Sequence, residues 1–269
     1  MKKKGFYLKT KDEIELIRKS GQLLAKVHAE VAKLLNCGVK TFMLNKIAEE
    51  YIKDNGGRPS FKNFNGFPSA LCISTNEKVV HGIPDDYELQ EGDIVSIDCG
   101  VLLNGFHSDS AYTYPVGIVK PEILDLLSCT KEALANGIDA VAVNARIGDI
   151  GYAIQTYVAR HGFSIVRELV GHGIGKSLHE DPEVPNYGKR GQGVRLQEGM
   201  VIAIEPMVNM GTRNVVQERD EWTIRTADRK PSAHFEHTVA INNGAADVLT
   251  TFAHIEEVLK NKYGKTIIH

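Results

Sequence analysis

Asp98 and Glu205 each end an apolar, β-branched run, Asp109 opens another, Glu236 precedes a third, and His172 stands among glycines in Gly171-His172-Gly173-Ile174-Gly175. An acid at the end of a buried strand is costly unless it is paired or binds a metal. Asn104-Gly105, a hairpin turn signal, lies between Asp98 and Asp109, so two antiparallel strands would bring these carboxylates side by side. Bare, they would repel and one would take up a proton. A divalent cation between them removes the conflict. Four carboxylates and one imidazole form a hard, oxygen-rich set that suits Mn²⁺, Fe²⁺ or Co²⁺, admits Zn²⁺, and is too acidic for a closed structural zinc site. Because carboxylates can bridge, five ligands can serve two ions, and a paired-ion site activates water and clamps a substrate. Taken singly, each residue has a plainer reading. Asp98 and Asp109 could be turn acids, Glu205 could end a strand in solvent before Pro206, Glu236 could pair with Arg225 or Arg229, and His172 could be a loop histidine.

The elements that must position these side chains repeat. Residues 89–98 read Leu-Gln-Glu-Gly-Asp-Ile-Val-Ser-Ile-Asp, and 196–205 read Leu-Gln-Glu-Gly-Met-Val-Ile-Ala-Ile-Glu, a turn and a strand ending in an acid both times. Two helices precede each copy. Residues 11–35, capped by Thr10 or Asp12, carry Ile14, Ile17, Leu24, Val27, Val31 and Leu35 on one stripe; residues 41–53, with Leu44, Ile47, Ala48 and Tyr51 inward, end at Asn55-Gly56-Gly57. In the second half, helices are predicted from Pro121 to about Asn136 and from Ile147 to His161, the latter closed by Gly162. The recurrence points to an internal duplication and a pseudo-twofold α+β architecture. Residues 70–74 read as a strand, 76–84 as a loop, 222–226 and 237–241 as the arms of a long hairpin around polar 227–231, and 255–262 as a short terminal helix.

The chain has 269 residues, 42% hydrophobic and 25% charged, with a formal net charge of −2, which suits a soluble globular protein and points neither to bulk nucleic-acid binding nor to membrane attraction. Lys2-Lys3-Lys4 is followed by no apolar core, which argues against a secretory signal, and no apolar run reaches spanning length. Cys37, Cys72, Cys99 and Cys129 show no Cys-x-x-Cys spacing, arguing against a disulfide scaffold or zinc knuckle and for a reducing cytoplasm.

The motifs NEKVVHGIPDD (76–86), DCGVLLNGFHSDSA (98–111), GHGIGKSLHEDP (171–182), AIEPM (203–207) and FEHTVAI (235–241) together resemble type I methionine aminopeptidase, in order and over nearly the whole chain. The resemblance implies the duplicated pita-bread α+β fold. Its halves would be about 11–117 and 120–245 of a single domain 1–269, with a curved, mostly antiparallel sheet covered by helices. It implies Asp98, Asp109, His172, Glu205 and Glu236 as ligands of two divalent ions (Co, Mn, Fe or Zn), with Asp109 and Glu236 bridging. His81 and His179 match the family's two active-site histidines that bind no metal; without the resemblance both read as ordinary loop histidines.

The implied reaction is removal of the N-terminal methionine from nascent chains, preferentially before a small second residue, through a metal-bridging hydroxide. Glu205 would shuttle the proton, His179 with the metal would stabilise the oxyanion, and His81 would meet the scissile amide. Phe61, Phe64, Phe67, Cys72 and Trp222 match the methionine pocket; some relatives carry Cys in place of Phe61 and Phe in place of Leu178. On the small-residue rule this chain's own Met1, before Lys2, would be retained. A monovalent cation (Na or K) near Asn76, Lys78 and Ser232 follows by analogy. The family further implies a cytoplasmic monomer that meets its substrates at the ribosome, with no nucleic-acid or membrane partner. The helix start near Lys11 leaves no room for the N-terminal extension of longer members. Two alternatives stay open: a proline-specific peptidase of the same fold, which usually has a large extra N-terminal domain, and a non-catalytic relative that binds RNA, ribosomes or protein partners, which loses ligands.

Overall fold

The computed structural model describes residues 6–264 and Ile268, so the readings on Met1, Lys2, Lys3 and Lys4 lie outside the described residues. Helix α1 (Lys11–Leu34) begins in a capping box: the Thr10 hydroxyl accepts the Glu13 N–H at 3.2 Å and the Glu13 carboxylate accepts the Thr10 N–H at 3.0 Å. The predicted stripe is buried throughout, from Ile14 to Leu35. In α2 (Thr41–Asp54) the inward face centres on Leu44, Ala48 and Ile52, while Ile47 and Tyr51 stay half-buried. Helices α3 (Pro121–Asp139) and α4 (Ile147–Arg160) follow, and α5 (Ala253–Tyr263) closes the described chain. The α2 and α4 helices give way to left-handed Gly56 (φ +77°) and Gly162 (φ +79°), the conformation that glycine adopts without a Cβ penalty.

Every strand pairing among the described residues is antiparallel, distributed over four sheets rather than one continuous one. The first sheet is built on the hairpin of Ile94–Leu103 and Phe106–Pro115, with Leu71–Thr75 and Arg58–Pro59 against the first arm. Asn104 (φ +54°) and Gly105 (φ +81°) make the turn, both left-handed as a two-residue hairpin of this twist requires. A five-stranded sheet runs Ala245–Val248, His237–Asn242, Val201–Ile204, Gly171–Gly173, Glu180–Val184. The helices cover these sheets through a shared apolar core that includes Leu24, Ile97, Tyr112, Leu127, Ile154, Ile202 and Ile241.

Two local readings are corrected. Segments 222–226 and 237–241 are not arms of one hairpin. Ile224–Thr226 pairs with Val215–Gln217 and Lys78–Val80, whereas His237–Asn242 pairs with Val201–Ile204 and Ala245–Val248. The polar stretch between them is a crossing between sheets, because each apolar strand finds a better partner elsewhere in the chain. The presumed loop 76–84 contains the strand Lys78–Val80 for the same reason.

The returning arm of the hairpin is joined side-on to residues 234–238. The Thr238 hydroxyl accepts the Asp109 N–H at 3.0 Å and donates to the Asp109 carbonyl at 2.8 Å. Ser110 donates to the Glu236 carbonyl at 2.9 Å, and the Glu236 N–H reaches the Ala111 carbonyl at 2.9 Å. The Thr113 hydroxyl accepts the His234 N–H and donates to its carbonyl, both at 2.8 Å. This seam fixes Asp109 against Glu236. Because it leaves two buried backbone groups of Asp109 unpaired, Thr238→Val should cost ~1–3 kcal/mol in urea unfolding; a loss below ~0.5 kcal/mol would show that the seam does not hold the two segments.

Candidate metal centre and cavity

Asp98, Asp109, His172, Glu205 and Glu236 all line one cavity of about 670 Å³, together with His81 and His179. In the hairpin register Asp98 faces Ala111 and Asp109 faces Gly100, so the two acids are diagonal neighbours on the same strand face. Gly100 leaves the space opposite Asp109 to Phe61: a Cβ there would stand 2.8 Å from the Phe61 ring. Glu205 follows the strand Val201–Ile204, where its carbonyl accepts the Asn186 amide at 3.0 Å. His172 is carried by Gly171–Gly173. A Cβ on either glycine would lie 2.3–2.4 Å from a carbonyl, of Ala203 or of Asp181, so only glycine lets these strands close around the histidine.

The donor set fits a divalent cation on three observations. One donor atom each of Asp109, His172 and Glu236 lies within 4.8 Å of the others. Asp98 Oδ1 and Glu236 Oε1 are sealed from solvent and have no hydrogen-bond partner among the described residues. His172 Nδ1 lies 2.9 Å from the Gly173 carbonyl, which assigns the proton to Nδ1 and turns the Nε2 lone pair inward. That lone pair faces Glu205 Oε1 at 3.7 Å and Asp109 Oδ2 at 4.0 Å. Acceptors that outnumber the donors among them are what a cation satisfies. The plainer alternatives fail: Arg225 pairs with Glu218, Arg229 lies 3.6 Å from Glu77, and Asp109 and Glu236 are buried.

Burial is the first cause of every acid's shift. It pushes Asp98 up to about 7, and it holds Asp109, Glu205 and Glu236 well above the usual carboxylate range, with the other carboxylates adding to the effect. Burial, then His179, lowers His172 to about 3; burial likewise lowers His81 and His179. His81 follows Lys78–Val80 in a left-handed conformation (φ +59°), held by Gly82, whose N–H reaches Ser74 Oγ at 3.1 Å and whose carbonyl accepts the Ile73 N–H at 2.8 Å. His179 is solvent-exposed at the cavity mouth, 4.3 Å from the His172 ring and 5.0 Å from Phe64. The next residue, Glu180, is clamped by buried Lys9 at 2.6 Å.

Phe61, Phe67, Cys72 and Leu178 are buried in one cluster, against which Phe64 and Trp222 pack; Phe67 and Trp222 meet edge to face at 5.2 Å. These side chains give the cavity an apolar wall beside its acidic floor. Sequence reasoning missed His234, buried against Glu205 at 3.7 Å. Its signal was available: it precedes Glu236 by two residues in strand-like sequence and so shares its face.

The shifts carry a sign. The histidines' lowered values add stability as pH rises toward their unfolded value of about 6.5, and nothing above it. The carboxyls' raised values mean that the folded state holds the extra proton, so stability falls from the unfolded value of about 4 up to each folded value. Metal-stripped protein should therefore lose thermal stability from about pH 6.5 to about 7.5. Asp98→Asn should flatten that slope, and added Mn²⁺ should abolish it. A metal-free melting temperature that is level or rising over this range would contradict the account.

The profile of metallopeptidase family M24 matches residues 15–243. The methionine aminopeptidase of Clostridium perfringens is 51% identical over 243 residues, 90% of this chain and 98% of that protein. Methionine aminopeptidase 1 of Bacillus subtilis is 49% identical, over 90% of this chain and 98% of its own. The crystal structure of methionine aminopeptidase from Rickettsia prowazekii superposes with a TM-score of 0.91 at 37% identity, covering 92% of this chain and 100% of that one. With its pita-bread fold, its acid-floored cavity and these relatives, the chain belongs to metallopeptidase family M24, among the methionine aminopeptidases.

Proposed function

We propose that this chain hydrolyses the peptide bond after an N-terminal methionine, and that Asp98, Asp109, His172, Glu205 and Glu236 would hold the two divalent ions (Co, Mn, Fe or Zn) on which the reaction depends. The observation that carries the proposal is that these five residues line one cavity with an apolar, aromatic wall, the donor atoms of Asp109, His172 and Glu236 lying within 4.8 Å of one another. When bound, the metal supplies a Lewis acid that activates water and receives a free α-amine. Glu205 takes the proton released by the attacking water and delivers it to the leaving amine, a role supported by its place in the lining of the cavity. His179, beside His172 in the cavity lining, donates to the carbonyl oxygen as negative charge develops there; one such donor is worth ~3 kcal/mol. His81 hydrogen-bonds the scissile amide from the opposite wall. The unbranched thioether of methionine packs against Phe61, Phe64, Phe67, Cys72 and Trp222, its soft sulfur suiting ring edges.

Crowding between His81, His179 and this wall restricts the second substrate residue to small side chains. The same reading makes the chain one domain of two related halves. It also places a monovalent cation beside Asn76, Lys78 and Ser232, where the Asn76 carbonyl accepts the Ser232 N–H at 2.9 Å. It makes the enzyme a cytoplasmic monomer acting on nascent chains at the ribosome. Among the described residues no helix is long and apolar enough to cross a membrane.

Turnover of Met-Ala-Ser, Met-Lys-Ser and Xaa-Pro peptides with Mn²⁺, Co²⁺ or Fe²⁺ under reducing, anaerobic conditions tests the proposal. Met-Ala-Ser should be cleaved, Met-Lys-Ser at least ~10²-fold more slowly, and Xaa-Pro not at all. Release of Xaa before proline without methionine release would sink it. Glu205→Ala should lower kcat by at least ~10²-fold, the lower end of general acid–base contributions; full activity in that variant would remove Glu205 from the mechanism.

A further inference from the structure

His234 is 1% exposed, and neither ring nitrogen has a hydrogen-bond partner among the described residues. Its place is nevertheless tightly fixed. The Thr113 hydroxyl engages both its N–H and its carbonyl at 2.8 Å, and in the register it faces Met207, two residues beyond Glu205. Its Nε2 stands 3.7 Å from Glu205 Oε2, while His172 Nε2 stands 3.7 Å from Oε1 of the same carboxylate. Two imidazoles thus bracket Glu205, one on each oxygen.

They are not equivalent. His172 commits its N–H to the Gly173 carbonyl and offers Glu205 only a lone pair. His234 has no competing acceptor among the described residues, so its N–H is free for Oε2. His234 also lies outside the cavity lining, behind the carboxylate rather than beside it. The backbone of Glu205 is anchored by the strand before it, Pro206 after it and Asn186 on its carbonyl, which leaves its side-chain torsions as the freedom still to be fixed.

We propose that His234 is a positioning residue: its Nε2–H closes onto Glu205 Oε2 as Glu205 engages a cation, and holds Oε1 turned into the cavity. The proposal rests on Glu205 being a metal ligand. The separation of 3.7 Å is longer than a hydrogen bond, and a small rotation of the Glu205 or His234 side chain is enough to close it. A donor behind a ligating carboxylate sets its orientation and is typically worth 10–100-fold in metal affinity.

The test is Mn²⁺ titration of the metal-stripped full chain by calorimetry, which reads binding without turnover. His234→Leu, similar in bulk but without a donor, should weaken Mn²⁺ binding about 10-fold, and His234→Gln, which keeps a donor, should stay within about threefold. In a Glu205→Gln background His234→Leu should change affinity less than about twofold, because the group it orients is already lost. If His234→Leu does not fold by circular dichroism, His234→Asn replaces it, a donor too short to reach. Loss of affinity that persists undiminished in the Glu205→Gln background, or unchanged affinity in His234→Leu while Glu205→Gln alone weakens binding, overturns the positioning role. If Glu205→Gln itself leaves Mn²⁺ binding intact, the ligand assignment of Glu205 falls first, and this proposal with it.

Discussion

Four carboxyl groups around one buried cavity cannot all be charged in an empty site. Two unit charges about 4 Å apart repel by roughly 4 kcal/mol even at an effective dielectric of 20, and neighbouring carboxylates raise the proton affinity of Asp109, Glu205 and Glu236 on top of the effect of burial. The cluster must hold protons or cations. That constraint accounts for features that are otherwise unfavourable: sealed oxygens without partners, a histidine lone pair aimed at carboxylates, and acids set within or just after largely buried strands. Such a cluster gives up stability locally in a way that a bound divalent ion would restore.

A cluster under mutual repulsion has to be held in place by the fold. The ligands therefore sit on or beside paired strands, and their backbones are cross-linked between segments far apart in sequence. The hydroxyls of Ser110, Thr113 and Thr238 tie the Asp109 strand to the segment bearing Glu236. The two histidines outside the ligand set are carried differently. His81 occupies a left-handed backbone position after a three-residue strand, and His179 sits exposed on a turn clamped by Lys9 and Glu180. His81 and His179 thus stand on short connections, whereas Asp98, Asp109 and His172 lie within paired strands.

Much of this was legible in the sequence because it is written in local patterns. The α1 stripe, the Asn104-Gly105 hairpin, the glycine stops of α2 and α4, and the repeated turn–strand–acid phrase each depend on residues within one element. The five candidate ligands were legible because an acid in apolar strand sequence conflicts with its surroundings, and such conflicts mark function; Asp98 does not end its strand as the run suggests but sits inside Ile94–Leu103, which continues to the hairpin turn. What failed depended on partners distant in sequence. Ile224–Thr226 and His237–Asn242 look like neighbours, yet they belong to different sheets, because Val215–Gln217 and Val201–Ile204 compete for them. His234 escaped for a related reason. A histidine beside a phenylalanine in a strand reads as core, and only its approach to Glu205 across the Met207–His234 register gives it a role.

The same logic bears on the substrate pocket. Phe61 fills the space above Gly100, directly across from Asp109, so the aromatic wall and the acidic floor share one strand. Alanine at position 100 would bring its Cβ within 2.8 Å of both the Phe61 ring and Ser60, pushing the wall inward without touching a ligand. Specificity and chemistry are thus adjacent properties of the Ile94–Leu103 strand. Asp98 lies on the acidic floor, and Gly100, two residues on and on the same face, leaves the room that the Phe61 ring occupies. A change of wall residue such as Phe61 can therefore reshape the pocket while the charge constraint beneath it stays as it is.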